Sequence, residues 1–231
     1  VLGLWLKMDG EEFRVSPAVL FHEGLLHILA PLETAEQNWP LTIGEQVLGL
    51  LAREMARNQS SVCTWDRLNE LVREVLARHG ELESKTASSC LEALAVASGV
   101  LTRWREQTVS FVSPAFWAYC WGAQSAGSID DNELEPFIDD PAWTPALNLW
   151  AEMSNPLSLI KSLLDIAPRG FHNQLFLAAS WVPFLAAEEH LKRNILIRLA
   201  QLMVNPKAQL ALRQRAAAAR PGRAAGALRP C

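Results

Sequence analysis

Between Leu91 and Tyr119 the spacing of apolar residues changes period twice, and few folds accommodate that. Leu91, Leu94 and Ala95 recur at helical spacing and mark one helix face. Gly99 stands where that helix should end, because glycine tolerates the positive φ found just past many helix C-termini. Residues 100–103 and 108–112 then read as two strands, with Arg105-Glu106-Gln107 at the turn between them. Ser113-Pro114 opens the next helix, serine as N-cap and proline at the first helical position.

Helix, hairpin, helix in this order is the layout of a winged-helix unit. Its first helix is expected at 65–76, where Leu68, Leu71, Val72, Val75 and Leu76 fall on one side. The same stretch carries a family resemblance. Gly99-Val100-Leu101, followed by Phe111-Val112-Ser113-Pro114-Ala115-Phe116-Trp117-Ala118-Tyr119, resembles the closing signature of NACHT-type STAND NTPases. That signature is a Gly-Leu-Leu step, a short wing, then Phe-x-His-x-x-Phe-x-Glu-Tyr. The aromatic framework is kept here, but Ser113 replaces the histidine that reaches the nucleotide phosphates and Ala118 replaces the glutamate. Leu50-Leu51-Ala52-Arg53-Glu54-Met55 is similar to a helix preceding the winged helix in that family, and Asp139-Asp140-Pro141-Ala142-Trp143 to the Asp-Pro-x-Trp segment following it. The resemblance implies a helical segment, a winged helix that closes over bound ADP, and the start of HEAT-like helical repeats. It makes Ser113 the position of a nucleotide contact, and Gly99, Leu101, Phe111, Pro114, Phe116, Tyr119 and Trp143 a structural signature.

The expected fold is therefore mainly α: a helical bundle, a winged-helix unit with one small β-hairpin, and α-solenoid-like helix pairs. Residues 1–60 form the helical segment, 61–126 the winged helix, 127–219 the helical-repeat region and 220–231 a disordered tail. Within the first segment, Asp9-Gly10 gives a turn, Ser16-Pro17 caps a helix running to Ala30, and Thr42 caps a second helix carrying Val47, Leu48, Leu50, Leu51 and Met55. After Gln124 the composition turns to Ser125-Ala126-Gly127-Ser128 and then to an acidic stretch beginning at Asp130, which places a linker there. Beyond Trp143 helices are expected at 143–153, 156–166, 170–181, 186–204 and 207–219, punctuated by Pro156, Pro168, Pro183 and Pro206. The tail, biased to Ala, Arg, Gly and Pro, lacks an apolar period.

Several chemistries find no support. No apolar run approaches the ~20 residues that span a bilayer, and the residues around Leu41 are interrupted by Glu45, Arg53 and Glu54. The opening residues lack a basic leader, and without an initiator methionine they read as a fragment or trimmed chain. A net charge of −4 argues against a nucleic-acid partner. The expected recognition helix, 85–97, has Lys85 as its one cation. No Gly-x-x-x-x-Gly-Lys-Ser/Thr loop occurs, so any nucleotide hydrolysis would need a module upstream. His22 and His27 are five residues apart, which points the rings in different directions and disfavours a shared metal. Glu188-Glu189-His190 reads as a solvated helix face, and the acidic stretch lacks the ligand order of a calcium loop. Four scattered cysteines, Cys63, Cys90, Cys120 and Cys231, read as reduced thiols of a cytoplasmic protein.

These readings converge on a non-catalytic regulatory fragment of a NACHT-like STAND ATPase. It needs no cofactor of its own, with ATP or ADP implied for the parent. Its expected partners are a nucleotide-binding module in cis and proteins docking on the helical repeats. A free-standing helical scaffold is the alternative, and a winged-helix DNA-binding regulator a weaker one.

Overall fold

A computed structural model of the chain describes residues 4–8, 11–30, 32, 39–80, 84–105, 107–129, 131–165, 172–185 and 188–219. Among them the fold is mainly α, eleven α-helices with a small three-stranded antiparallel sheet. The Asp9-Gly10 turn, Asp130 at the head of the acidic stretch and the tail from 220 lie outside the described residues. One compact unit spans Leu4–Ala126 and a second begins at Gly127.

The first unit opens with a hairpin the sequence did not announce. Strands β1 (Leu4–Met8) and β2 (Glu11–Val15) pair antiparallel, Leu4 opposite Val15 and Met8 opposite Glu11. Helix α1 (Pro17–Leu29) follows, its Ser16 Oγ accepting from the Val19 N–H at 3.3 Å and Pro17 in the first turn. Helix α2 (Leu41–Arg57) starts one residue before the expected cap. Pro40 holds the N-cap position and no side chain caps it. Its buried residues spread over much of its circumference, from Ile43, Val47 and Leu48 to Leu51, Ala52 and Met55, because three other helices pack on it. Gly49 permits the closest of these approaches: a Cβ there would stand 2.7 Å from the Gln124 Oε1 and 3.0 Å from its Cβ.

The wing contains one strand more than expected. Strand β3 (Cys63–Thr64) leads into α3 (Trp65–Arg78), then α4 (Ser84–Glu92), which continues as a π-helical turn over Ala93–Ala97. Strands β4 (Leu101–Trp104) and β5 (Thr108–Phe111) form the hairpin, and α5 (Pro114–Ser125) follows. The sheet order is β3-β5-β4, with Cys63 opposite Val109 and Leu101 opposite Phe111. Two residues cannot display an alternation, which is why β3 was silent in the sequence. Thr64 has a double role: it ends the strand, and its Oγ1 accepts from the Arg67 N–H at 3.2 Å to cap α3. Because α2 precedes β3 and packs on α3, segments 1–60 and 61–126 share one unit. Gly99 closes the π turn at φ +66, a region costing other residues about 1–2 kcal/mol.

In the second unit, α6 (Asp131–Ile138) precedes a 3₁₀ turn at Pro141–Trp143 and α7 (Thr144–Met153). Then come α8 (Leu157–Asp165), α9 (Asn173–Ser180), a 3₁₀ turn at Val182–Phe184, α10 (Glu189–Val204) and α11 (Leu210–Ala218). Consecutive helices pack as neighbours, α8 on α9, α9 on α10 and α10 on α11, while α9 also reaches back to α6. Ile160, Leu163, Ala178, Trp181, Ile195 and Leu199 supply the apolar core.

Candidate functional site

Tyr119 is the residue around which the first unit's polar and aromatic groups gather. It lies on α5, one turn beyond Phe116, so both rings emerge on the same side of the helix. Phe21 of α1 meets both, edge-on to Phe116 with centroids 5.9 Å apart and stacked on Tyr119 at 6.1 Å. The adjacent His22 brings its Nδ1 to 2.9 Å from the Tyr119 hydroxyl and 3.4 Å from Glu45 Oε1 on α2. With Nδ1 unprotonated, the Tyr119 O–H donates to it. With Nδ1 protonated, its N–H has the Glu45 carboxylate within reach. Three helices that come together from distant parts of the chain are thus joined at one polar point, with Tyr119 buried and His22 and Glu45 partly open to solvent.

The chemistry open to this cluster is limited by burial. Tyr119 is 5% exposed. Desolvation, reinforced by the Glu45 charge, pushes its hydroxyl up to about 12 from 10.0, so it stays neutral and cannot serve as a general base near neutral pH. Because Tyr119 is the only tyrosine in the chain, its ionisation can be read without ambiguity from tyrosinate absorbance. The titration midpoint is expected near 12 in the folded protein and near 10 in denaturant. A pKa raised on folding contributes stability that is complete below the unfolded value and is lost as pH climbs through the folded one. The first unit should therefore weaken between pH 10 and about 12. A folded-state midpoint near 10 would mean the hydroxyl is in water.

Ser113 sits between β5 and α5 as the N-cap of the latter, half-buried, its Oγ accepting from the Ala115 N–H at 3.2 Å. Ser113→Ala should cost about 0.5–2 kcal/mol by leaving that N–H without its cap, measured as a shift in the urea midpoint. Asp140 caps the 3₁₀ turn in the same manner, its Oδ1 accepting from the Ala142 N–H at 2.9 Å, while Trp143 packs on Phe137 with centroids 4.1 Å apart. Leu101 is buried, and Phe111 lies opposite it in the hairpin register.

Cys63, Cys90 and Cys120 are free and buried. Burial raises all three thiols, Cys90 and Cys120 to about 12, which leaves little thiolate for nucleophilic work. Cys231 lies outside the described residues. No three His, Cys, Asp or Glu side chains among the described residues are grouped as a metal site. On the wing, Arg103 lies 3.9 Å above the Trp65 ring. Arg67 is within 3.4 Å of Glu54 and Glu74 and 2.8 Å of Glu70, an ion-pair network that raises its pKa further and binds α2 to α3.

The pairing of His22 and Glu45 with Tyr119 escaped the sequence reading. The available signal was a histidine and a glutamate set beside apolar residues in two helices, which does not by itself choose a partner 97 residues away. No protein-family model matches this chain, and neither a curated protein nor a solved structure does.

Proposed function

We propose that the chain is the non-catalytic regulatory part of a NACHT-like STAND signalling ATPase, whose winged helix relays ligand sensing to a nucleotide-binding module encoded upstream. The observation that carries the reading is the anchoring of Tyr119. The hairpin runs through Ser113 directly into α5, and α5 is held to α1 and α2 by Phe21, His22 and Glu45. A displacement of the wing would be passed to those two helices, which is what a relay requires. In this reading ATP or ADP belongs to the upstream module, to which Ser113 would offer a hydroxyl able to bond a phosphate but no imidazole. Protein partners would dock on the helical region after Gly127, and the free thiols suit a cytoplasmic setting.

Extending the reading frame upstream of the Val1 codon tests the proposal. A phosphate-binding loop in frame is the expected finding. A complete frame without one transfers the assignment to a free-standing scaffold, a reading favoured by the exposed Leu196, Ile197 and Val204 on α10. For DNA binding the support is thinner, since Arg103 is stacked on Trp65 and α4 buries Cys90 and Leu91 in the core.

A further inference from the structure

Helix α10 is apolar on two sides. Leu191, Ile195, Leu199 and Leu202 recur at three- and four-residue spacing and are buried in the core of the second unit. Leu196, Ile197, Ala200 and Val204 share a second arc of about 100° on the far side of the same helix. There Leu196 is 39% exposed, Ile197 47% and Val204 75%. A helix with apolar residues on both faces belongs between two layers, and on this side no layer is present among the described residues. The stripe runs about 12 Å from Leu196 to Val204, a length that the apolar side chains of one docked helix can cover.

Charge decides what fits there. From Lys192 to Arg215 the chain carries six cations and no acid. Lys192 is paired with Glu189 at 2.7 Å, Arg198 bonds Asn194, Arg213 the Met203 carbonyl and Arg215 Asn173. Arg193 and Lys207 are exposed and make no ion pair among the described residues. Arg193 stands one turn before Ile197 on the same arc, and Lys207 lies just beyond Val204, so each end of the stripe carries one cation. A second copy docked antiparallel about Ala200 would set Arg193 against Lys207 at both ends, like charges opposed. The stretch has no Trp, Tyr or Phe, the side chains that seat interfacial helices in a bilayer. We propose that the outer face of α10 docks an acidic amphipathic helix, its aliphatic stripe on Leu196, Ile197 and Val204 and its carboxylates on Arg193 and Lys207. The proposal rests on reading the second unit as a docking region and not on an upstream nucleotide-binding module, so a reading frame without a phosphate-binding loop leaves it standing.

Fluorescence anisotropy of the full chain with two labelled synthetic peptides tests it. The acidic peptide has about 18 residues, with leucine at alternating three- and four-residue spacing, glutamate flanking the leucines and alanine elsewhere. The basic peptide has lysine in place of every glutamate. The acidic peptide should bind saturably, and the basic one at least about tenfold more weakly. The double variant Arg193→Glu with Lys207→Glu should invert that order, favouring the basic peptide by about tenfold. Ile197→Asp, made at an exposed position, should abolish binding of the acidic peptide while leaving the thermal transition in place. Absence of binding by the acidic peptide overturns the proposal, as does equal binding of the two peptides or an unchanged order in the folded double variant. A concentration-dependent dimer that Ile197→Asp dissolves would make the occupant a second copy instead. Sedimentation with phosphatidylserine–phosphatidylcholine vesicles, lost in the same variant, would make it a membrane surface, and either result overturns the helix.

Discussion

Trp121→Ala is expected to destabilise the first unit by about 3–5 kcal/mol. Trp121 is 1% exposed, on α5 among the buried Tyr119, Cys120 and Gly122. That helix is apolar on nearly all sides, since it packs against both α1 and α2, so an indole removed here leaves a void with no helix free to close it. The loss combines the transfer term for the missing ring with a cavity term, and the tight spacing set at Gly49 keeps the cavity term large, because α2 already lies against the Gln124 side chain. Trp121→Phe should cost less, since most of the ring remains. Urea unfolding followed through the tyrosine signal isolates this unit, because the chain's one tyrosine lies within it. A midpoint unmoved by Trp121→Ala would mean the α2–α5 contact is not the core of the unit.

The parts of this fold visible in the sequence are those whose cause is local. The face Leu68, Leu71, Val72, Val75 and Leu76 buries as its spacing dictates, and the hairpin over β4 and β5 reverses at Arg105, where φ is +45. In the second unit each helix from α7 onward falls within the range expected for it, because prolines mark breaks on a scale of one helix. What stayed hidden depends on distance along the chain. A two-residue strand such as β3 exists only because β5 is there to pair with it. The role of α2 as the helix on which the others pack follows from residues buried around its circumference, a pattern that looks merely hydrophobic in one dimension. The π turn at Ala93–Ala97 has no local signature, since Ala and Val suit an ordinary helix turn. Its geometry follows from Ser98, whose N–H donates to the Ala93 carbonyl at 3.1 Å. Of the candidate site, the aromatic framework was legible, but His22 and Glu45 were not.

Trp181→Ala should produce a comparable loss in the second unit, again about 3–5 kcal/mol. The indole is 0% exposed, tilted against Trp150 with centroids 5.9 Å apart, and its N–H donates to Asn148 Oδ1 at 3.0 Å. Ser180 Oγ lies 3.0 Å from the same oxygen and 2.7 Å from the Leu177 carbonyl, so its single proton serves one of these two acceptors at a time. This shared acceptor allows the packing and polar contributions to be separated. Trp181→Phe keeps a ring in the core and removes the N–H, and the Ser180 hydroxyl can then turn from the Leu177 carbonyl, which also accepts from the Trp181 backbone N–H, to Asn148, so no acceptor is orphaned. The hydrogen-bond part of its cost should therefore remain near 0.5–1.5 kcal/mol, well short of the alanine loss. Ser180→Ala alone should be mild for the same reason. The double variant Trp181→Phe with Ser180→Ala should cost more than the two singles added, because only then does the Asn148 oxygen lose both donors. Amide hydrogen exchange along α9 is the direct readout, with Trp181→Ala speeding exchange there most strongly. Strict additivity in the double variant would mean Asn148 satisfies itself elsewhere, and the contact between α7 and the end of α9 would then rest on the two indoles alone.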